Sequence, residues 1–308
     1  MTSGAGGRAG QAGGPGDRPG DPVKSEAGGA ASLGDVVEEL LSEVAIEASP
    51  EPAPIFASLR GRCAVVTGGS SGIGRATAIG LARGGVNVAV NYLDTDEESR
   101  AAAGELGEAL EQHGVEVLIR PADVRDPVQT AEFFAEAHER LGGLHILVNN
   151  AGVGADHALW RMSDEEWESV IDTNLSGAFY CIRAIAPYFR AQEFGKIVNV
   201  SSVHGLSSEF GLANYCSSKA GLIGLTRSAA LELGPSNVNV NAVAPGYIRT
   251  TRLTDRVPAE NMDRARERSA LGRLGDPQDV VSVILFLCSE LARHITGAVV
   301  PVDGGYLI

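Results

Sequence analysis

Short apolar runs alternate with longer helical patterns along most of this chain, from about Leu59 to the C-terminus. The runs are rich in valine and isoleucine, as in strands that are buried on both faces. Their alternation with helices, without a break that would mark a second unit, predicts one doubly wound α/β domain with about seven parallel strands and helices on both faces. The predicted strands are Cys63–Thr67, Val86–Asn91, Val115–Arg120, His145–Asn149, Lys196–Val200, Val238–Ala244 and Ala298–Val302, and the predicted helices are Gly74–Arg83, Glu97–His113, Pro127–Leu141, Asp164–Leu175, Gly177–Gln192, Asn214–Leu233 and Pro277–Leu291.

Tyr215 and Lys219 are four residues apart within a predicted helix, so both side chains leave the same face, one turn apart. A lysine held near a phenol favours the phenolate and lowers the phenol's pKa from its reference value near ~10. A phenol that exchanges protons near neutral pH is a general acid/base. Since the chain has only three lysines and six tyrosines, chance alone would rarely place a tyrosine and a lysine four residues apart. The pairing therefore predicts a catalytic site.

A glycine-rich turn with Gly68, Gly72 and Gly74 follows the first predicted strand and opens the next helix. Glycines let the backbone come close to a pyrophosphate, and the helix N-terminus offers free N–H groups and the positive end of the helix dipole. The glycine spacing differs from the usual dinucleotide fingerprint, so the position between strand and helix carries the prediction. The fold expected is therefore a Rossmann-type sheet with a nucleotide at this turn.

The end of the second strand bears on the choice between NAD and NADP. Four acids lie within Asp94–Glu98, and Arg75 is the nearby cation. An acid at this place holds the ribose 2′-hydroxyl of NAD, whereas a base accepts the 2′-phosphate of NADP. The acidic charge favours NAD, but Tyr92 or Asn91 can equally be the residue that contacts the ribose 2′-position. The choice between NAD and NADP therefore stays open.

Two further strand ends are expected to face the nucleotide. Asp123 follows the third strand and can bond an adenine amino group, or it can start the next helix instead. Asn149–Gly152 ends the fourth strand with two amides and two very small residues, which suits a crowded backbone beneath a cofactor. A simple turn is the alternative reading of that segment.

The acidic composition narrows the classes of partner. The 308 residues carry a formal net charge of −14, which argues against nucleic acid and anionic membranes. The four cysteines have no paired spacing, so no metal site or disulfide is predicted and a reducing compartment fits best. No apolar signal core opens the sequence, and the run Val283–Cys288 is too short to span a bilayer. We expect a cytoplasmic protein.

The first 56 residues form a predicted extension of different texture. Residues 1–31 are mostly glycine, alanine and proline and are predicted to be disordered. Asp35–Ile46 has an apolar stripe at helical spacing and predicts one short amphipathic helix. Pro50, Pro52 and Pro54 predict a stiff linker. The predicted domains are therefore 1–56 and 57–308, and the role of the extension stays open.

Together these motifs resemble those of the short-chain dehydrogenases/reductases in their single-domain form, from about residue 57 to the C-terminus. The spacing of thirteen residues from Ser202 to Tyr215 is also the family's, and it selects Ser202 over Ser201. The motifs, which occur in the family's order, are Thr67-Gly68 with Gly72-Ile73-Gly74, Asn149–Gly152, Asn174, Ser202, Tyr215 with Lys219, and Pro245-Gly246.

The resemblance implies catalytic roles for Asn174, Ser202, Tyr215 and Lys219. Tyr215 would transfer the proton to or from the substrate oxygen, and Ser202 would bond and position that oxygen. Lys219 would lower the pKa of Tyr215 and bond the nicotinamide ribose, while Asn174 would hold a water that links Lys219 to solvent. The hydride would pass between nicotinamide C4 and the carbonyl carbon.

The resemblance and the strand-end pattern together assign a binding site for NAD or NADP. The backbone at Ile248 and the hydroxyl of Thr250 are expected to bond the nicotinamide carboxamide. The cofactor-binding residues expected are Gly68, Ser70, Ser71, Gly72, Ile73, Gly74, Tyr92, Asp123, Val124, Asn150, Ala151, Gly152, Tyr215, Lys219, Pro245, Gly246, Ile248 and Thr250.

The implied activity is the interconversion of a ketone or aldehyde and an alcohol. The segment Ile295–Gly305 and the general texture are most similar to 3-oxoacyl-carrier-protein reductases and glucose-dehydrogenase-like members, so reduction of a 3-oxoacyl thioester is the first expectation. Sugar or polyol oxidation and reduction of a free ketone are the alternatives, and a nucleotide-binding sensor without turnover is a remote one. The residues expected to line the substrate pocket are His204, Leu206, Trp160 and Phe210, which do not decide among these.

Two more expectations concern the lid and the assembly. Thr251–Leu274 corresponds to the family's substrate-covering region, and its six arginines fit either a mobile lid or a solvated charged helix. The acidic surface disfavours docking of an acidic carrier protein, although those arginines could serve it. Gly177–Gln192 and Asn214–Leu233 carry apolar residues on more than one face, which fits a homotetramer.

Overall fold

A parallel sheet of seven strands, in the order β3-β2-β1-β4-β5-β6-β7, forms the centre of the fold. The structure is a computed structural model and describes residues 55–249 and 257–308. Every neighbouring pair of strands runs parallel. The strands are β1 Cys63–Thr67, β2 Asn87–Tyr92, β3 Val117–Pro121, β4 Ile146–Asn149, β5 Gly195–Val200, β6 Val238–Pro245 and β7 Val299–Val302.

Helices connect the strands and cover the sheet. Successive side chains of a strand point to opposite faces, so β1 contributes Val66 to one core, with Leu81 and Leu285, and Val65 to the other, with Phe133 and Phe189. The predicted doubly wound α/β fold is therefore confirmed. The helices are α1 Ile55–Leu59, α2 Gly72–Arg83, α3 Glu97–Glu111, α4 Pro127–Leu141, α5 Asp164–Ile171, α6 Gly177–Gln192, α7 Ala213–Leu233, α8 Ala259–Arg268 and α9 Pro277–Cys288.

The strand order places the functional crevice. From β1, the chain first adds β2 and β3 on one side and then crosses to add β4 through β7 on the other. In open parallel sheets, ligands bind outside the carboxyl ends of the strands at such a switch point. The glycine turn after β1 and the Asn149–Gly152 segment after β4 therefore meet at the same edge.

The structure corrects two element boundaries of functional interest and decides the form of a third segment. Helix α2 begins at Gly72 rather than Gly74, so both glycines belong to its first turn. The predicted helices 164–175 and 177–192 are continuous, because a π-helical turn, Asp172–Ser176, joins α5 to α6. Part of the expected substrate-covering region forms the helix α8, as the charged-helix alternative predicts.

Several predictions concern residues that the structure does not describe. The disordered segment 1–31, the helix Asp35–Ile46, the linker prolines and Thr250 all lie outside the described residues, so these remain predictions. All four cysteines are free thiols. In residues 55–249 and 257–308, no helix has the length and apolar character needed to cross a membrane.

Candidate active site

A cavity of about 600 Å³ opens at the carboxyl edge of the sheet and is lined by residues that follow strands β1 to β6. Gly74 and Asn174 are not part of its wall, and Thr250 lies outside the described chain. The expected site residues that line the cavity are Gly68, Ser70, Ser71, Gly72, Ile73, Tyr92, Asp123, Val124, Asn150, Ala151, Gly152, Ser202, Tyr215, Lys219, Pro245, Gly246 and Ile248.

The glycine turn has the backbone geometry that an anion requires. Gly68 and Gly72 have φ values of 61° and 54°, a region that side chains other than glycine rarely adopt. Ser71 precedes α2 without a side-chain cap bond, so the first backbone N–H groups of the helix remain for a ligand. A Cβ atom at Gly74 would lie 2.3 Å from Asn150 Nδ2 and 2.6 Å from the Gly68 carbonyl oxygen.

Hydrogen bonds lock this turn to the neighbouring strand end. The Thr67 hydroxyl accepts from the backbone N–H groups of Asn150 (3.0 Å) and Ala151 (3.1 Å). Asn150 Nδ2 in turn donates to the carbonyl oxygens of Thr67 and Gly68, both at 3.0 Å. Thr67 therefore shapes the site without lining it. Its place in the sequence motif Thr67-Gly68 does not by itself predict this role.

Asn91 connects three strand ends in the same region. Its Oδ1 accepts from the Gly68 N–H at 3.2 Å, and its Nδ2 donates to the Ala122 carbonyl at 2.8 Å. Asn91 lines the cavity with Tyr92. It was named only as an alternative to Tyr92, because sequence alone does not show which of two adjacent strand residues points into the cavity.

Asp123 is committed to an ion pair with Arg125. The Arg125 Nη2 lies 2.6 Å from Asp123 Oδ2, and Nε donates to both carboxyl oxygens at 2.9–3.0 Å. The hydrogen bonds from Arg125 lower the pKa of Asp123. Asp94, the acid expected near the ribose, pairs with Arg100 at 2.7 Å and is not part of the cavity wall.

Ser202 and Tyr215 meet at the opposite end of the cavity. Ser202 lies two residues after β5 in extended conformation, and its hydroxyl accepts from the His204 N–H at 3.1 Å. A hydrogen bond between the Ser202 and Tyr215 side chains lowers the pKa of Tyr215, but burial raises it more, to about 12. The hydroxyl of Ser201 instead donates to the Lys219 carbonyl at 2.9 Å. The structure thus brings Ser202, and not Ser201, to the phenol.

Lys219 lies beneath the same end. Its ammonium donates to the Val200 carbonyl at 2.8 Å and is 5.6 Å from the centroid of the Tyr215 ring. Burial lowers the pKa of Lys219 to about 8. A Cβ atom at Gly152 would approach the ammonium to 3.4 Å, so the glycine leaves the lysine accessible from the cavity.

The electrostatics of the described residues correct one expectation. We expected Lys219 to lower the pKa of Tyr215 below its ordinary value, whereas burial raises that pKa to about 12. The reason is that desolvation by burial disfavours the charged phenolate more than the hydrogen bond with Ser202 favours it. The Tyr215 phenol is therefore protonated over the physiological range of pH.

Asn174 is buried in the π-helical turn. Its Oδ1 accepts from the Val153 N–H at 2.8 Å, and its Nδ2 donates to the Val153 carbonyl and the Ser218 hydroxyl, both at 3.0 Å. These bonds hold the segment after β4 against the helix that carries Lys219. The periodicity of the sequence gave no sign of a π turn, and Ser218 was not predicted as a site residue.

Four polar side chains lie together at the outer end of the cavity, and of these only His204 was predicted from the sequence. His204 Nε2 lies 3.4 Å from Glu209 Oε2, and the Tyr247 hydroxyl donates to the same oxygen at 2.8 Å. Asp156 also lines the cavity. Of the four expected pocket residues, His204 and Phe210 line the cavity and Leu206 and Trp160 do not.

The residues present fit a dinucleotide. The turn before α2 presents N–H groups at positions with positive φ, and the lysine and two hydroxyls lie at the far end of the same cavity. A ligand with a pyrophosphate in its middle and a reactive ring at one end matches that layout.

Comparison with known proteins identifies the family. Residues 68–307 match the family model adh_short_C2, described as enoyl-(acyl carrier protein) reductase. A relative named 3-oxoacyl-[acyl-carrier-protein] reductase FabG, from Staphylococcus aureus, is 42% identical over 244 residues, or 79% of this chain and 97% of the relative. The protein of the same name from Aquifex aeolicus is 42% identical over 249 residues, or 80% and 98%.

A solved structure agrees with this assignment. The crystal structure of a candidate short-chain alcohol dehydrogenase from Sinorhizobium meliloti matches with a TM-score of 0.77 and 38% identity, covering 82% of this chain and 99% of that one. The chain belongs to the short-chain dehydrogenase/reductase family. It is an NAD(P)-dependent oxidoreductase that interconverts carbonyl and alcohol groups.

Proposed function

We propose that the chain reduces the ketone of 3-oxoacyl thioesters, with Tyr215 as the proton donor. The observation that carries the chemistry is the meeting of Ser202, Tyr215 and Lys219 at one end of a cavity whose other end suits a dinucleotide. The substrate class is supported by relatives of 40–42% identity that are named 3-oxoacyl-[acyl-carrier-protein] reductases.

The mechanism follows from the two hydroxyls. A bound nicotinamide supplies the hydride at its C4. Ser202 and Tyr215 donate hydrogen bonds to the ketone oxygen, where negative charge develops as the carbonyl carbon is reduced. Tyr215 then gives its proton to that oxygen. Because burial raises the pKa of Tyr215 to about 12, the phenol is protonated and ready to donate at neutral pH.

Lys219 and Asn174 support the proton donor. Below about pH 8 Lys219 is an ammonium, which stabilises the tyrosinate left after transfer and can bond ribose hydroxyls. The side-chain atoms of Asn174 are already bonded to Val153 and Ser218. We therefore propose that Asn174 acts as a positioning residue, and that any water it holds bonds its backbone carbonyl in the π turn.

We further propose that NAD(H) binds more tightly than NADP(H). Of the described residues that line the cavity, only Arg125 and Lys219 are permanent or near-permanent cations. Arg125 is paired with Asp123 through three hydrogen bonds, and Lys219 is at the nicotinamide end. Arg75, the nearby cation in the sequence, is not part of the cavity wall. A 2′-phosphate would therefore lack an uncommitted cation among the described residues of that wall. Calorimetric titration with both reduced cofactors tests this, and tighter NADPH binding would overturn it.

The charge of α8 bears on how the thioester is carried. Arg264 pairs with Glu260 and Arg266 with Asp263, so these arginines are neutralised by their own helix. We propose that a low-molecular-weight thioester suffices as substrate and that an acidic carrier gives little electrostatic gain. The KM for an acyl-carrier-protein thioester should then change less than about threefold between low and high salt; a steep rise with salt would contradict this.

We also propose a homotetramer. Phe179 on α6 and Leu231 on α7 are 43% and 80% exposed, so the two helices that cover the sheet also present apolar side chains outward. Sedimentation of the full chain tests this proposal, and a monomer at micromolar concentration would contradict it.

The direct test of the activity is oxidation of NADH or NADPH, followed by absorbance, with acetoacetyl-coenzyme A as substrate. The parent protein should turn over the thioester, and Tyr215→Phe should lose that turnover while still binding cofactor. Ser207→Ala, an exchange outside the cavity wall, is the control. Absence of turnover by the parent with both cofactors, or full activity of Tyr215→Phe, would refute the proposed function.

A further inference from the structure

The substrate end of the cavity ends in a group of side chains that the proposed chemistry does not use. His204, Glu209, Tyr247 and Asp156 all line the cavity, and we call them the outer polar group. The His204 ring has its centroid 6.4 Å from that of Tyr215 and 5.8 Å from that of Tyr247. The group therefore lies directly beside the phenol that faces the reacting oxygen.

Hydrogen-bond donors within the outer polar group are already committed. The Tyr247 hydroxyl donates to Glu209 Oε2 at 2.8 Å, and His204 Nε2 lies 3.4 Å from the same oxygen. Burial lowers the pKa of His204 although the Glu209 and Asp156 carboxyls oppose this. A neutral imidazole has one N–H to give, and Nε2 is the ring nitrogen that lies nearest Glu209.

Most of the carboxyl oxygens in the outer polar group, by contrast, have no hydrogen-bond donor among the described residues. Within the described ranges 55–249 and 257–308, Glu209 Oε1 and both oxygens of Asp156 accept no hydrogen bond. Partial desolvation, followed by repulsion from Glu209, raises the pKa of Asp156. Beyond the bond from Tyr247 to Glu209 Oε2, the described residues thus leave three carboxyl oxygens of Glu209 and Asp156 at the cavity without a donor.

This imbalance selects among substrates. An alkyl group lying there would shield the carboxyls from water without satisfying them, which is costly. A carbonyl or carboxylate oxygen of the substrate would be repelled. A hydroxyl donates a hydrogen bond to a carboxylate and fits the same volume as a methyl group, and a site built for such a donor rejects the analogue that lacks it.

We propose that the outer polar group is a hydroxyl-binding subsite, so that the enzyme prefers carbonyl substrates bearing a hydroxyl next to the reacting carbon over alkyl substrates of equal size. This rests on the proposed reduction of 3-oxoacyl thioesters and deepens it. The subsite would hold the arm of the ketone opposite the thioester, and a hydroxyl on the carbon of that arm next to the ketone would be preferred over an alkyl group. Glu209 is the acceptor, Tyr247 and His204 orient its carboxyl group, and Asp156 supplies a second acceptor.

The test uses ketones matched in size: hydroxyacetone against 2-butanone, and 1,3-dihydroxyacetone against 3-pentanone. The quantity measured is the ratio of kcat/KM for the hydroxylated and the alkyl ketone, compared between parent and variants. Because the intrinsic reactivity of each ketone is the same for every protein, it cancels when the ratios are compared. Any general loss of folding or of catalysis also lowers both members of a pair alike.

We expect Glu209→Leu to lower the ratio about tenfold, as for loss of a hydrogen bond to a charged acceptor. Tyr247→Phe keeps the ring and removes only the bond that orients Glu209, and it should lower the ratio about threefold. Ser208→Ala, in the same loop but outside the cavity wall, should leave the ratio unchanged.

The proposal is wrong if Glu209→Leu and Tyr247→Phe both keep the parent ratio. It is also wrong if the parent reduces acetoacetyl-coenzyme A but shows no preference for the hydroxylated ketones beyond that of Glu209→Leu; the proposed function would then stand alone. Failure of the parent to reduce any of these carbonyl compounds would instead overturn the proposed function itself.

Discussion

The two ends of the cavity are built from different parts of the chain. The end at the glycine turn, which we call the nucleotide end, is formed by backbone groups. These are the glycine turn, the first N–H groups of the helix and the strand ends held by Thr67, Asn91 and Asn150. At the substrate end, side chains line the wall, and their charges and hydroxyls face one another. The same sheet edge supports both.

This difference teaches how each end can change. A backbone site depends on a few positions where any added atom collides, so it tolerates almost no substitution at those positions. A side-chain site can be given new preferences by one exchange, because the sheet beneath it stays intact. We therefore expect substitutions at the nucleotide end to cost stability and binding together, and those at the substrate end to alter turnover alone.

The largest effect should come from Tyr215→Phe. The exchange removes only the phenol's hydroxyl, and loss of a general acid typically costs about 100- to 10,000-fold in rate, so we expect turnover to fall by about 1,000-fold. Affinity for NADH should change by less than about twofold. Steady-state kinetics and cofactor titration on the same sample check this; a parallel loss of cofactor affinity would break the separation of the two ends.

Next comes Gly74→Ala. The new methyl group would lie 2.3 Å from Asn150 Nδ2 and 2.6 Å from the Gly68 oxygen, so the turn must shift. Overpacking of this kind costs about 3 kcal/mol of unfolding free energy, and cofactor affinity should fall at least tenfold. Denaturant unfolding and calorimetry give the two values.

Gly104→Ala in α3 is the matched control, since a Cβ there meets nothing within 4 Å. It should raise the unfolding free energy by about 0.5–1 kcal/mol, because alanine favours a helix interior over glycine. If the two exchanges destabilise the protein equally, the crowding of the nucleotide turn is not what fixes Gly74.

The third prediction concerns pH and Lys219. Burial lowers the pKa of Lys219 from 10.5 to about 8, so between these values the unfolded chain binds more protons than the folded chain. Stability from this group therefore rises with pH in that window, by about 2 kcal/mol from pH 7.5 to 9.5. Well below pH 8 both states bind the proton, so the contribution of Lys219 to the unfolding free energy does not change with pH.

Denaturant unfolding of the parent and of Lys219→Met at the two pH values isolates this contribution, because other titrating groups are shared. The parent should gain about 2 kcal/mol relative to the variant. Equal pH dependence of the two proteins would mean that Lys219 keeps its ordinary pKa, and the electrostatic picture of the substrate end would need revision.

The smallest effect is expected from Asp123→Asn. The exchange releases Arg125 from its ion pair, which gives the nucleotide end a cation, and binding of NADPH relative to NADH should improve about threefold. Glu132→Gln, which removes one of the two carboxylate partners of Arg120 outside the cavity wall and leaves Glu136, should leave the ratio unchanged. Identical ratios in all three proteins would show that Arg125 does not reach the 2′-position.

Much of the fold followed from local patterns. The predicted ends of the seven strands all lie within two residues of the observed ends, because β-branched runs and helical periodicity are local properties. The π turn at Asp172–Ser176 was not predicted, since one extra residue in a helix leaves the apolar pattern nearly unchanged. Ser202 was separated from Ser201 by spacing, and the structure shows their different contacts.

The sequence by itself determined the α/β fold, the glycine turn and the pairing of the tyrosine and lysine proposed to be catalytic, because each depends on residues close together in the chain. Only the tertiary structure decided that Asp123 binds Arg125, that burial raises rather than lowers the pKa of Tyr215, and that Glu209 meets Tyr247, 38 residues away. Such facts depend on desolvation and on contacts between distant segments, which no local pattern encodes.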